Sequence, residues 1–192
     1  MKRICEIMVL CLVWSGAAWA SDANDVNAVS NTVDDAKSWL DSAEVGEPNG
    51  LSVRWGSGQD VSIGQAGVIL GRDLEVGVEY MRQTPDDGII DLAGVYCYAL
   101  NIGDLAEDIA SQVNLDLDGL LADLPADVQP QLYAGGLGGV DLDGLDGGYY
   151  GYAVGGQVKN VYVEYRYTQS FGAVSDAYKE GEAIILGARI KF

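Results

Sequence analysis

From Leu51 onward, apolar residues return at every second position. Leu51, Val53 and Trp55 alternate with Ser52, Arg54 and Gly56. Leu74, Val76, Val78 and Tyr80 oppose Glu75, Gly77, Glu79 and Met81. Val161, Val163, Tyr165 and Tyr167 oppose Tyr162, Glu164, Arg166 and Thr168. The closing decapeptide does the same, with Ile184, Leu186, Ala188, Ile190 and Phe192 on one parity and Ile185, Gly187, Arg189 and Lys191 on the other. A period of two is that of a strand whose side chains leave to opposite faces. Eight such segments can be drawn. They restrict the chain to a soluble sandwich, a ligand-carrying calyx or a closed transmembrane barrel.

Turn residues separate the segments. Gly, Ser, Asp and Pro cluster at 56–60, 71–73, 84–88 and 141–148, and a further turn is placed around 156–160, which predicts antiparallel neighbours joined by short connections. The segment from Val61 to Leu70 reads on both parities. Val61 and Ile63 lie on one face, Ala66, Val68 and Leu70 on the other, and a bulge near Gly64–Gly67 would reconcile them. The segment "IIDLAGVYCYALNI" puts Leu92, Gly94, Tyr96, Tyr98 and Leu100 opposite Asp91, Ala93, Val95, Cys97 and Ala99.

One stretch departs from this rhythm. Between residues 103 and 128, Leu105, Ile109, Val113, Leu117, Leu120, Leu121 and Leu124 recur at helical spacing, with an interruption at Gly119 and a stop at Pro125. This predicts a short helical insertion between strands four and five. Residues 21–50 are polar and rich in Asp and Asn, and read as a loose N-terminal segment before a main domain at 51–192. Residues 1–20 have Lys2 and Arg3, an apolar stretch and a closing Ala18-Trp19-Ala20. That layout predicts a cleaved secretory signal peptide. Cys11 leaves lipidation as the alternative, disfavoured by the bulky Leu10 before it.

Composition narrows the chemistry. The chain has no histidine, which removes the commonest general base and metal ligand. Beyond the leader only Cys97 remains, so the mature chain cannot close a disulfide on itself. The formal net charge is −18, and Lys2, Arg3 and Glu6 of the leader contribute +1 of it, leaving −19. Such a chain repels nucleic acid. No apolar run after Ala20 is long enough for a membrane helix, so a membrane crossing would need a closed sheet.

The segments "GYAVGGQVKNVYVEYRYTQSF" and "EAIILGARIKF" resemble the final three strands of the small eight-stranded outer-membrane barrels of the outer membrane protein A, X and opacity type, and "GVILGRDLEVGVEYMR" resembles their second and third. The resemblance covers 51–192 apart from 103–128. It departs from that family in the insertion, in a weak first strand and in the basic residues near the terminus. It implies an all-β, eight-stranded antiparallel transmembrane barrel in the cell outer membrane. It also implies outer-membrane lipid and the barrel-assembly machinery as partners, with Ile190 and Phe192 in the assembly signal. Tyr80, Tyr96, Tyr98, Tyr150, Tyr152, Tyr165 and Tyr167 would supply an aromatic girdle at the lipid–water boundary.

Candidate sites are sparse. Glu75, Glu79, Glu164, Arg166 and Arg189 fall on the polar parity and are expected as ion pairs filling the interior, with Arg189 paired to Glu164. "NLDLDGLLADLP" opens like a calcium loop at Asn114, Asp116 and Asp118, but Pro125 stands where the bidentate carboxylate belongs. Asp141, Asp143 and Asp146 cluster without that spacing. Solvated acidic loops are the simpler reading, and weak calcium binding there is the alternative. No cofactor, catalytic group or metal site is expected. The functional expectation is a non-enzymatic outer-membrane barrel with an envelope-structural, adhesive or small-solute-pore role. The alternatives are a secreted soluble calyx for an apolar ligand and, less supported without histidine, a membrane-embedded lipid-modifying enzyme.

Overall fold

The computed structural model describes residues 46–85, 88–102, 130–142, 147–172 and 181–192. These form eight strands: β1 (Pro48–Gly58), β2 (Val61–Leu70), β3 (Leu74–Gln83), β4 (Ile90–Leu100), β5 (Gln131–Asp141), β6 (Gly147–Val158), β7 (Val161–Gly172) and β8 (Gly181–Lys191). Each strand pairs antiparallel with the next, and β8 pairs with β1, so the sheet closes into a barrel. Closure leaves no sheet edge unpaired along the ladders. The eight-stranded antiparallel barrel expected from the alternation is the observed architecture. The expected leader at 1–20, residues 21–45 and the helical insertion expected at 103–128 all lie outside the described residues.

Several local expectations are corrected. β1 begins at Pro48, ahead of Leu51, and runs through Gly58, so the first turn is only Gln59–Asp60. The turn placed at 156–160 is likewise reduced to Lys159–Asn160. The bulge near Gly64–Gly67 is absent, because β2 keeps an unbroken register with both neighbours over that stretch. The two parities of β2 are two faces of one regular strand. Val61, Ile63, Gln65 and Ile69 point inward and Ala66, Val68 and Leu70 outward, so both faces are largely apolar.

The turn Gly71–Arg72–Asp73 and the turn Lys159–Asn160 lie at the same end as Pro48 and Phe192, here the proximal end. Gly71 has φ of 60°, a left-handed conformation that glycine adopts without steric cost. The turn Gln59–Asp60 and the connections from β3 to β4, β5 to β6 and β7 to β8 lie at the distal end. Among the described residues no helix is long and apolar enough to cross a membrane, which leaves crossing by strands untouched.

Candidate functional site in the barrel bore

Strand alternation sends one parity of every strand into a narrow bore. Ser52, Arg54, Gln65, Glu75, Glu79, Gln157, Glu164, Arg166, Thr168 and Arg189 are all buried there. With them go Tyr96, Tyr98, Tyr133, Tyr149 and Tyr162, and the aliphatic Val61, Ile63, Leu92, Leu137 and Ile185. The other parity carries Leu51, Val53, Trp55, Val78, Val95, Val161, Val163, Ile184 and Leu186, all exposed. The bore therefore holds a set of buried charges, while the outer face exposes a band of large apolar side chains.

Two ion clusters occupy the bore. In the proximal half, Glu75 Oε2 accepts from Arg54 Nη2 at 3.0 Å and from Arg189 Nη2, and its Oε1 accepts from Tyr96 Oη at 2.9 Å. Arg189 also donates to Ser52 Oγ and to Gln157 Oε1, at 2.9 and 2.7 Å. In the other cluster Arg166 grips Glu79 with both terminal nitrogens, each at 2.8 Å. The same guanidinium reaches Glu164 Oε1 from Nε and Nη2, at 3.0 and 2.8 Å. Gln65 and Tyr149 complete the shell of Glu79, and Tyr133 Oη donates to Glu164. The planar fork of arginine suits such bidentate contacts, which gain strength and direction when both partners are charged.

The five glutamates and arginines expected inside are thus all inside, but one pairing is corrected. Arg189 binds Glu75, not Glu164. Adjacent strands do not decide which inward side chains meet, because a narrow bore lets residues touch across its diameter. Sequence reading also missed Arg54. Its Nε and Nη1 find no hydrogen-bond acceptor and its guanidinium lies against rings instead, 4.4 Å from the centroid of Tyr133, 4.9 Å from Tyr98 and 5.8 Å from Tyr162. Aromatic faces attract a desolvated cation at such distances. The available signal was its parity opposite Val53 and Trp55.

The expected girdle is corrected in the same way. Tyr96 and Tyr98 point inward and are buried. Tyr80, Tyr150, Tyr152, Tyr165 and Tyr167 remain on the outer face, where Tyr152 stacks on Tyr167 with centroids 5.6 Å apart. Near the distal rim the outer face carries Arg82, which binds Asp91 through Nε and Nη2 while Tyr80 Oη donates to the same carboxylate. Ile190 and Phe192 also face outward, and Phe192 is 74% exposed. Its backbone completes the seam, exchanging hydrogen bonds with Leu51 at 2.9 and 3.2 Å.

Among the described residues no group of three or more Cys, Asp or Glu could hold a metal ion. The acidic positions at 114–118 and at 143 and 146 lie outside the described residues. Cys97 is buried on the outer parity of β4. No protein-family model matches the chain, and no curated protein or solved structure does.

Proposed function

We propose that this chain is a non-enzymatic outer-membrane β-barrel whose role is to stabilise the envelope or to present its distal loops for adhesion. The observation that carries the reading is the exposed band of Leu51, Val53, Trp55, Val78, Val95, Val163, Ile184 and Leu186 around a barrel with buried charges. Water would leave such a surface unpaid for, and soluble monomers rarely expose so large an apolar area. Hydrocarbon suits it, and a closed barrel is the sheet that satisfies its own backbone there. Strands of 10 to 12 residues agree with the about 9–11 that a tilted strand needs to cross. The outer tyrosines and the Arg82–Asp91 pair sit well at a lipid–water boundary.

A packed bore supports the structural and adhesive roles over a solute pore. Arg54, Arg166 and Arg189 reach into it and are held by Glu75, Glu79 and Glu164. Those carboxylates are held as ion-pair partners, which also argues against their use as catalytic acids or bases. Folding in detergent tests the membrane reading. The mature chain should migrate anomalously on SDS gels until boiled and should stay soluble only with detergent or lipid. A chain that is monodisperse in plain buffer and migrates alike before and after boiling would return the reading to a soluble calyx.

A further inference from the structure

Among the described residues, the guanidinium of Arg54 is the least satisfied charge in the bore. It is fully buried, and Nη2 has an acceptor, Glu75 Oε2 at 3.0 Å, but Nε and Nη1 have none. The rings of Tyr98 and Tyr133 lie against the group. A ring is a weaker partner for an N–H than a charged acceptor is. Tyr162 Oη is likewise buried without a partner. A Cβ on Gly56 would stand 2.6 Å from that hydroxyl. The hydroxyl therefore lies against β1, two residues from Arg54 and on the same parity. Buried polar groups left without partners carry their full desolvation penalty.

Charge points the same way. Arg54 stands directly opposite Arg189 in the β1–β8 register, and like charges so placed destabilise a sheet. Both guanidinium groups share one carboxylate oxygen, Glu75 Oε2. Lys191 follows Arg189 on the same parity and donates to the neutral Gln131 Oε1 at 2.8 Å. Asp73, the acidic side chain of the turn at this end, bonds Asn101 at 2.8 Å and lies 3.9 Å from Arg72. The Glu75 cluster thus has two arginines for one glutamate, whereas in the other cluster Arg166 meets two glutamates.

We propose that the bore beside Arg54 binds one small monovalent inorganic anion, of chloride or bromide size, held by an N–H of Arg54 and the hydroxyl of Tyr162. Its single charge offsets the second guanidinium of the Glu75 cluster. A bore of eight strands is filled by side chains, which restricts the guest to a very small ion. The site belongs to the interior, so it does not depend on whether lipid or water surrounds the barrel. Water is the rival guest: Gln65, in register with Arg54, has an unpartnered acceptor in Oε1, which suits water and not an anion.

The test unfolds the whole refolded chain in urea at constant ionic strength, with sodium gluconate replaced stepwise by sodium chloride or bromide. A ligand bound only to the folded state raises the folding constant in proportion to its concentration once the site is filled. Each tenfold rise in halide should then raise that constant about tenfold, and gluconate, too large for the bore, should not. Tyr162→Phe removes a hydroxyl that has no protein partner, so the barrel should still fold. Its halide affinity should fall about tenfold, the scale of one hydrogen bond to an ion. Arg54→Met should abolish the halide dependence. A wild type indifferent to halide would leave water as the guest and overturn the proposal. An equal response to gluconate, which is screening alone, would overturn it too, as would wild-type halide affinity in either folded variant. Should Arg54→Met fail to fold, Tyr162→Phe decides.

Discussion

Arg166 and Arg189 are both buried guanidinium groups in one bore, yet their removal should differ. Arg166 is the cation bound to both Glu79 and Glu164. Without it two carboxylates remain in a low-dielectric interior with only neutral donors. Breaking a buried pair on one side costs about 3–5 kcal/mol. Glu75 is better insured, because Arg54 and Tyr96 still reach it when Arg189 is gone. Arg166→Ala should therefore lower the urea midpoint of the refolded barrel well below that of Arg189→Ala. The opposite order would mean that the Glu75 cluster, and not the Glu79–Glu164 cluster, carries the interior. Parity alone had placed all five of these side chains inside. It could not say which arginine meets which glutamate, since that depends on contacts across the bore at sequence separations of 87 and 114 positions.

At the scale of the strand, the glycines explain where the tyrosines go. A Cβ on Gly77 would stand 2.8 Å from a ring carbon of Tyr96, and one on Gly187 would stand 2.6 Å from the ring of Tyr162. Both glycines lie on the inward parity, so each inward ring covers backbone that has no side chain of its own. The alternation of β1, β3, β7 and β8 was legible from sequence because their two faces differ in polarity. β2 and β4 were not. β2 is apolar on both faces, so its regular register was mistaken for a bulge. Tyr is amphipathic and suits either a lipid boundary or a hydrogen-bonded interior, so Tyr96 and Tyr98 carried no sign of direction. The packing gives a paired expectation. Gly187→Ala should destabilise the barrel by about 1–3 kcal/mol, the usual cost of overpacking. Gly64→Ala should change stability by no more than about 0.5 kcal/mol, because a Cβ there meets nothing within 4 Å. Chemical unfolding of the two variants checks it, and equal losses would mean that the inward rings yield freely.

Closure is a property of the whole molecule, and it is concentrated at one seam. The β1–β8 ladder has six register pairs where β6–β7 has twelve. Phe192 extends that short seam by its two backbone hydrogen bonds to Leu51, while its side chain is mostly exposed. Backbone and ring can thus be separated. Deleting Phe192 removes both; Phe192→Ala keeps the backbone bonds and loses the ring. In lipid vesicles, where no assembly machinery is present, closure is the whole problem. Unpaired backbone at the seam would face hydrocarbon, where each unsatisfied group costs several kcal/mol. The deletion should fold slowly and in low yield there, and Phe192→Ala should fold as the wild type does. In cells the proposed role of the terminal aromatic as an assembly address adds a second demand, so both variants should reach the outer membrane poorly. Band-shift gels on vesicles and on isolated outer membranes read the two cases. If Phe192→Ala assembles normally in cells, the ring is not an address and only the seam argument survives. If it fails in vesicles as badly as the deletion, the exposed ring contributes to insertion itself, and the backbone account of closure is wrong.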